Sequence, residues 1–383
     1  MQRNLFLGVE AIGQAAIDAG ISGVYAYPGT PSTEITEYIQ NSKTAKAKNI
    51  HRAWSANEKT AMESALGMSY AGKRTMTCMK HVGLNVAADV FMNAAITGIN
   101  GGMVVTVADD PSQHSSQNEQ DSRFYGKFAM IPVMEPSNQQ EAYNMTYEAF
   151  EFSEKTGLPV MLRITTRLAH SRSGVIQKQM IDENQLKLPE NLMQFMLLPA
   201  FGRQYYQNLL DKQDWLLTLS EESKFNKYFE GKDKSLGIVC CGIAFNYLME
   251  NYSDGNCPYP IVKINQYPAP EKWIKKLENE CDELLVIEEG YPLIEELLTD
   301  YFGKGKKVCG RLSGALPRKG ELNPDHVAKA LGKDNSVTIE IPGLIANRPP
   351  SLCAGCGHQE TYFALNKVLE EFGDGRVFSD IGC

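Results

Sequence analysis

The feature that most constrains this chain is the regular exchange of short apolar runs for helical segments over its first 170 or so residues. The runs GVYAYPGTPS (23–32), RTMTCMK (74–80), MVVTVADD (103–110) and LPVMLRITT (158–166) are apolar through most of their length. That is the composition of strands buried on both faces. Between them, GVEAIGQAAIDA (8–19), EITEYIQ (34–40), NEKTAMESALGMSYA (57–71) and HVGLNVAADVFMNAAI (81–96) carry apolar residues at helical spacing. Gly20 is placed to close the first of these helices, and Ser32 or Thr33 to cap the second. Strands that alternate with helices need crossover connections, and these build a parallel sheet covered by helices. The expected fold class is therefore α/β.

The pattern fails over 172–233, a stretch rich in Lys, Glu, Asp and Gln with amphipathic pieces such as NLLDKQDWLLTL. It reads as a helical linker or insertion. Alternation resumes with LGIVCCG, PIVKIN, ELLVIEEG and KVCGRL, and the paired prolines of IANRPP mark a second linker. The expected organisation is an α/β domain over 1–172, a helical insertion over 173–233, a smaller α/β domain over 234–344, and the start of a further domain over 345–383. A unit of that kind needs about 100–150 residues, so this segment is expected either to pack against the earlier domains or to belong to a fragment of a longer chain. Lys and Arg number 38 against 46 Asp and Glu, and a net charge of −8 argues against general nucleic-acid binding. No run of about 18 apolar residues suggests a membrane helix. The N-terminus reads as the start of a folded domain rather than a signal peptide. Nine cysteines, an odd number in a long chain, suggest reduced thiols and a cytoplasmic setting.

Four segments that follow strands or open helices carry chemistry-bearing residues. Glu58 opens a helix; taken alone it is an acid complementing the helix dipole. Tyr27–Ser32 is a strand-to-helix turn where ligands of open α/β sheets sit, and equally a rigid connector. Met79–Asn85 holds His81, more often structural than catalytic. Asp109–Asp121 is a long polar loop after a buried strand, suited to binding or simply solvated. A fifth segment, Cys353–His358, contains C-x-x-C at a helix start. It lacks the second pair that structural zinc needs and the longer run that holds an iron–sulfur cluster, which leaves a glycine-rich phosphate cradle open. Gly373-Asp374-Gly375 precedes a strand and reads as a helix-ending turn.

In this order, YPGTPS, NEK, MKHVGLN, DDPSQHSSQNEQDSR, LPVMLR with TTRLAHSR, and CAGCGH…SDIGC resemble the large subunit of the indolepyruvate ferredoxin oxidoreductases. These belong to the 2-oxoacid:ferredoxin oxidoreductases. The resemblance implies a thiamine diphosphate-binding fold: a pyrimidine-binding α/β domain, a transketolase C-terminal-like domain and a diphosphate-binding domain. It implies oxidative decarboxylation of aryl pyruvates to aryl-acyl-CoA with electrons passed to ferredoxin. Glu58 then corresponds to the glutamate facing N1′ of the aminopyrimidine. A carboxylate there favours the imino tautomer, whose nitrogen can take the C2 proton of the thiazolium; partial desolvation would tune it towards neutrality. Pro28, Gly29 and Thr30 correspond to the turn lining the thiazolium and substrate, and Gly83, Leu84 and Asn85 to the segment against the pyrimidine. Ser115, Ser116, Gln117 and Arg123 fall in or near the loop assigned to substrate, with Arg123 a candidate for bidentate pairing with a 2-oxo acid carboxylate. Gly355, Cys356, Gly357 and His358 correspond to the opening of the diphosphate domain, and Asp380, Gly382 and Cys383 to a strand end under the thiazolium.

The resemblance also implies a small β subunit, ferredoxin and coenzyme A as partners, a possible homo-oligomer, no nucleic acid and no membrane, and an anaerobic cytoplasm. The Mg2+ motif and the 4Fe-4S cysteines are expected beyond residue 383. On that reading the chain holds the pyrimidine half of a site and only the rim of the other half, so alone it should bind cofactor weakly and be inactive. Two alternatives stay open: an oxidoreductase for pyruvate or a branched-chain 2-oxo acid, and a non-catalytic scaffold that keeps the fold.

Overall fold

The strands in chain order are β1 (Asn4–Leu7), β2 (Gly23–Ala26), β3 (His51–Trp54), β4 (Thr75–Lys80), β5 (Met103–Asp109), β6 (Val133–Met134), β7 (Val160–Thr165), β8 (Arg172–Val175), β9 (Lys227–Phe229), β10 (Leu236–Cys241), β11 (Ile261–Ile264), β12 (Gln266–Tyr267), β13 (Glu283–Ile287) and β14 (Val308–Cys309). The structure is a computed structural model describing residues 3–299, 305–333, 354–373 and 375–379, with Gly343 and Leu352. It divides into two units, residues 1–334 and 335–383.

Among the described residues, the first sheet of the larger unit has the order β12-β6-β7-β5-β4-β2-β3. All its neighbours run parallel except β12, which pairs antiparallel with β6. Strand residues alternate between faces. Met76, Cys78 and Val104 face a core that contains Ile12 and Ala16 of the helix Gly8–Asp18 and Phe150 of the helix Gln139–Thr156. Met79, Val105 and Val107 face another that contains Met62 and Ala65 of the helix Glu58–Tyr70 and Phe91 of the helix His81–Thr97. Apolar residues at both i and i+1 of these strands are thus explained: helices cover both faces. The connection from β2 leads to β3 and that from β4 leads to β5, on opposite sides. The crevice of this sheet therefore lies at the carboxyl ends of β2 and β4.

The second sheet has the order β14-β13-β10-β11-β9, parallel but for β9. It draws in Lys227–Phe229, which the sequence pattern left in the insertion. The α-helices of the insertion, Pro199–Asp211 and Gln213–Glu221, come late in it, after a single 3-10 turn over Leu192–Phe195. Its first half opens with β8, paired antiparallel with β1, and continues as an extended strap. The strap is tied down by Ile181 N–H to Asp18 O at 2.9 Å and Lys187 N–H to Ala71 O at 2.9 Å.

In the smaller unit the helix Gly357–Phe372 starts at Cys356 and ends at Gly373, whose φ of 73° suits glycine. Asp374 lies outside the described residues. Among the described residues no helix is long and apolar enough to cross a membrane.

Candidate active site

The parallel register brings the ends of β3, β2, β4 and β5 to one edge, and the segments singled out above leave the sheet there. Helix Glu58–Tyr70 is started by Asn57, whose Oδ1 accepts the Thr60 N–H at 2.9 Å while Thr60 Oγ1 accepts the Asn57 N–H at 3.3 Å. This reciprocal cap fixes Glu58 as the first helical residue. The Glu58 side chain turns in rather than out, leaving the residue 9% exposed. It lies over Gly83: a Cβ there would sit 2.4 Å from Glu58 Oε1 and 2.6 Å from its Cγ. Burial raises the carboxyl above the usual range, and a bond from its own backbone N–H works against this. No side chain among the described residues hydrogen-bonds it. A desolvated carboxyl at the mouth of a crevice, without such a partner, is suited to exchanging a proton with a ligand.

The turn after β2 is held by its own side chains. Gly29 N–H donates to Thr33 Oγ1 at 2.7 Å, and Ser32 Oγ donates to Gly29 O at 2.6 Å. Ser32 occupies the cap position of the helix Thr33–Asn41, but its hydroxyl is spent on the turn rather than on the helix. A Cβ on Gly29 would lie 3.2 Å from Lys80 Cβ, so turn and β4 pack closely. The loop after β5 folds around Asp110, which accepts Ser115 N–H at 2.9 Å, Ser116 Oγ–H at 2.5 Å and Thr166 Oγ1–H at 2.8 Å. Burial would raise the Asp110 carboxyl, but these donors and Lys80 outweigh it and hold it down at about 2. Ser115 Oγ reaches Thr30 O at 3.5 Å. His81, buried, places Nε2 3.3 Å from Asn118 Oδ1. Asn85 Oδ1 accepts the Tyr125 hydroxyl at 2.6 Å, Leu84 is core, and Gln117 is exposed.

A sequence model described as pyruvate flavodoxin/ferredoxin oxidoreductase, thiamine diphosphate-binding, matches residues 14–207. The chain belongs to this family. It is 40% identical, over its whole length, to indolepyruvate oxidoreductase subunit IorA of Archaeoglobus fulgidus, and covers 64% of that relative. It is 40% identical over 98% of its length to the IorA subunit of Methanothermobacter thermautotrophicus, covering 63% of it. The chain thus spans somewhat under two thirds of these relatives. Among solved structures, 2-oxoglutarate:ferredoxin oxidoreductase from Magnetococcus marinus, with 2-oxoglutarate, coenzyme A and succinyl-CoA bound, superposes with a TM-score of 0.67 over 86% of this chain and 65% of that one, at 16% identity. A split-gene transketolase superposes with a TM-score of 0.52 over 85% of this chain and 97% of that one, at 14% identity. Both share the fold, a thiamine diphosphate-binding α/β architecture.

Within this family member, Arg123 does not meet the expectation of a substrate anchor. It is 1% exposed, and its donors are taken. Nε donates to Asp121 Oδ1 at 3.0 Å, Nη1 to Glu288 Oε2 at 2.8 Å and Tyr267 Oη at 3.2 Å, and Nη2 to Asp121 Oδ2 at 2.5 Å and Tyr291 O at 2.8 Å. Beside it Arg163 donates to Asp109 Oδ2 at 2.6 Å and to Glu135. These guanidiniums bolt the loop's two ends to residues 288–291, which follow β13. Sequence reasoning missed Lys80, Asp110 and this cluster; the one visible signal was two consecutive aspartates at the end of an apolar strand.

In the smaller unit, Cys356 is the residue before the helix. Its thiol is held below the usual range by the N–H groups of Gln359 and His358. Gly355 has φ of 80°, and Gly357 and His358 form the first turn. Cys353, Asp380, Gly382 and Cys383 lie outside the described residues. Among the described residues, no group of three or more His, Cys, Asp and Glu is placed to hold a metal ion.

Proposed function

We propose that this chain supplies the pyrimidine-side half of a thiamine diphosphate site in an enzyme that oxidatively decarboxylates aryl pyruvates, indolepyruvate foremost, to aryl-acyl-CoA and passes the electrons to ferredoxin. The observation that carries the reading is Glu58: a buried carboxyl, with no side-chain partner among the described residues, held over Gly83 at the crevice of a family fold. The indolepyruvate substrate rests on the names of the relatives 36–40% identical to this chain. Coenzyme A and ferredoxin rest on the structural neighbour from Magnetococcus marinus, a ferredoxin oxidoreductase with coenzyme A bound.

When bound, thiamine diphosphate supplies the electron sink for loss of CO2 from a 2-oxo acid. Glu58 holds or takes the proton at N1′ of its aminopyrimidine, and burial, which raises its pKa, favours its holding that proton. The absence of a Cβ at Gly83 lets the carboxyl approach, and Asn85 continues that wall, with Leu84 packed into the core behind it. Pro28, Gly29 and Thr30 border the reacting carbon. Ser115, Ser116 and Gln117 face the 2-oxo acid. Gly355, Cys356, Gly357 and His358, with Asp380, Gly382 and Cys383, belong to the diphosphate side, where Mg2+ would be held by residues past 383. Residues 1–172 act as the pyrimidine domain and 234–344 as the transketolase-like domain. A small second subunit, cluster-bearing residues past 383 and a second copy of the chain complete a cytoplasmic assembly.

The test is Glu58→Gln in the complete enzyme. Loss of a proton-exchanging carboxylate should cost about 10²–10⁴-fold in turnover with the fold intact. Near-normal decarboxylation refutes the assignment.

A further inference from the structure

Lys80 is the last residue of β4 and is 6% exposed. Its ammonium has three donors, and three acceptors surround it: Ser115 O at 2.7 Å, Ser115 Oγ at 3.0 Å and Asp110 Oδ2 at 3.4 Å. Its stem packs against the turn at Gly29, and Ser115 Oγ in turn reaches Thr30 O at 3.5 Å. One side chain therefore links the turn after β2, the strand end that leads into Gly83, and the loop after β5. With two hydrogen bonds to Ser115, Asp110 at ion-pair distance and the residue buried, this ammonium is held by the protein rather than offered to a substrate. A buried lysine is nonetheless costly, because burial disfavours its charged form, so it needs a partner that stays ionised. Asp110 is that partner, and its other bonds, to Ser115 N–H, Ser116 and Thr166, fold the loop back on the strand end. The neighbouring His81 adds a second hold through Asn118.

We infer that Lys80, paired with Asp110, is the positioning residue that sets Ser115, Ser116 and Gln117 against the turn at Thr30 and so fixes the pocket for the 2-oxo acid. The inference rests on the functional reading above and extends it to a residue that touches neither cofactor nor substrate. Its effect belongs to substrate binding rather than to the proton exchange at Glu58, because the hydrogen bonds and the ion pair of the Lys80 ammonium all go to the loop.

The test is Lys80→Met in the complete enzyme, read in three ways. KM for indolepyruvate should rise roughly tenfold or more, the scale expected when a binding loop is displaced by a fraction of an ångström. Both kcat and the affinity for thiamine diphosphate should stay within about threefold of wild type. Backbone amide exchange should rise in the segment 112–118 and not in the helix Glu58–Tyr70. An unchanged KM with unchanged exchange overturns the proposal, and so does a fall in kcat at unchanged KM. If Lys80→Met fails to fold, Asp110→Asn, which removes the opposing charge and keeps the shape, is read in the same way and decides the matter. A wild-type enzyme that neither binds thiamine diphosphate nor consumes an aryl pyruvate would instead refute the functional reading. The exchange measurement is independent of that outcome.

Discussion

Gly83→Ala separates the chemistry of the site from the stability of the fold. The added methyl would lie 2.4 Å from Glu58 Oε1, 2.6 Å from Cγ and 2.8 Å from Cδ. Carbon and oxygen pack at roughly 3.5 Å, so the Glu58 carboxyl must retreat by about 1 Å. Position 83 is in the first turn of the helix His81–Thr97, where alanine is favoured over glycine by up to about 1 kcal/mol. Glu58 keeps some exposure, so rotation of its side chain towards solvent is the expected relief of the contact. Stability should then change by less than about 1 kcal/mol, the helical gain offsetting the lost contact. A misplacement of about 1 Å at the reacting groups costs about 100-fold in rate, or roughly 2.7 kcal/mol of barrier. The assay is indolepyruvate-dependent reduction of ferredoxin at saturating thiamine diphosphate, beside calorimetric melting of the same sample. Turnover within about threefold of wild type at an unchanged melting temperature would refute the reasoning, since it would mean that the Glu58 carboxyl need not lie where Gly83 lets it lie.

Glu289 is fully buried, with Oε1 accepting Leu322 N–H at 2.9 Å and Oε2 unpartnered among the described residues. Burial raises its carboxyl to about 7, with Arg311 and the Leu322 N–H opposing. Between pH 4.5 and 7 the folded state holds a proton that the unfolded chain has released, so this group makes stability fall as pH rises through that window and leaves it flat above. Glu289→Gln should remove up to about 3 kcal/mol of the difference between about pH 5 and pH 8; identical slopes in urea denaturation would exclude the assignment. Arg123→Met leaves Asp121 and Glu288 buried beside one cation fewer, and should cost about 3–5 kcal/mol in denaturant unfolding. An enzyme of wild-type stability with a selectively raised KM would restore Arg123 as a substrate anchor.

Much of the first sheet was legible because its information is local. A strand covered on both faces is apolar at adjacent positions, as Cys78 and Met79 or Val104 and Val105 are, and the helices between them keep their own period. Glu58 was legible for the same reason, since Asn57 and Thr60 set its place at a helix start within four residues. The arrangement around Arg123 was not. Its partners Tyr267, Glu288 and Tyr291 come from more than 140 residues away, and a charged side chain in a polar loop looks the same whether it meets water or a buried carboxylate. Likewise β12 completes the edge of the first sheet from within the second α/β stretch, and β9 joins the second sheet from what reads as linker.

Lys80 shows the division most clearly. That this lysine ends an apolar strand, and that a polar loop follows the next one, is legible in the residue order alone. That Asp110 and Ser115 close on its ammonium follows from the packing of β4 against the loop after β5. Periodicity fixes which residues are buried along one element. The partner that a buried charge requires is set by where separate elements meet.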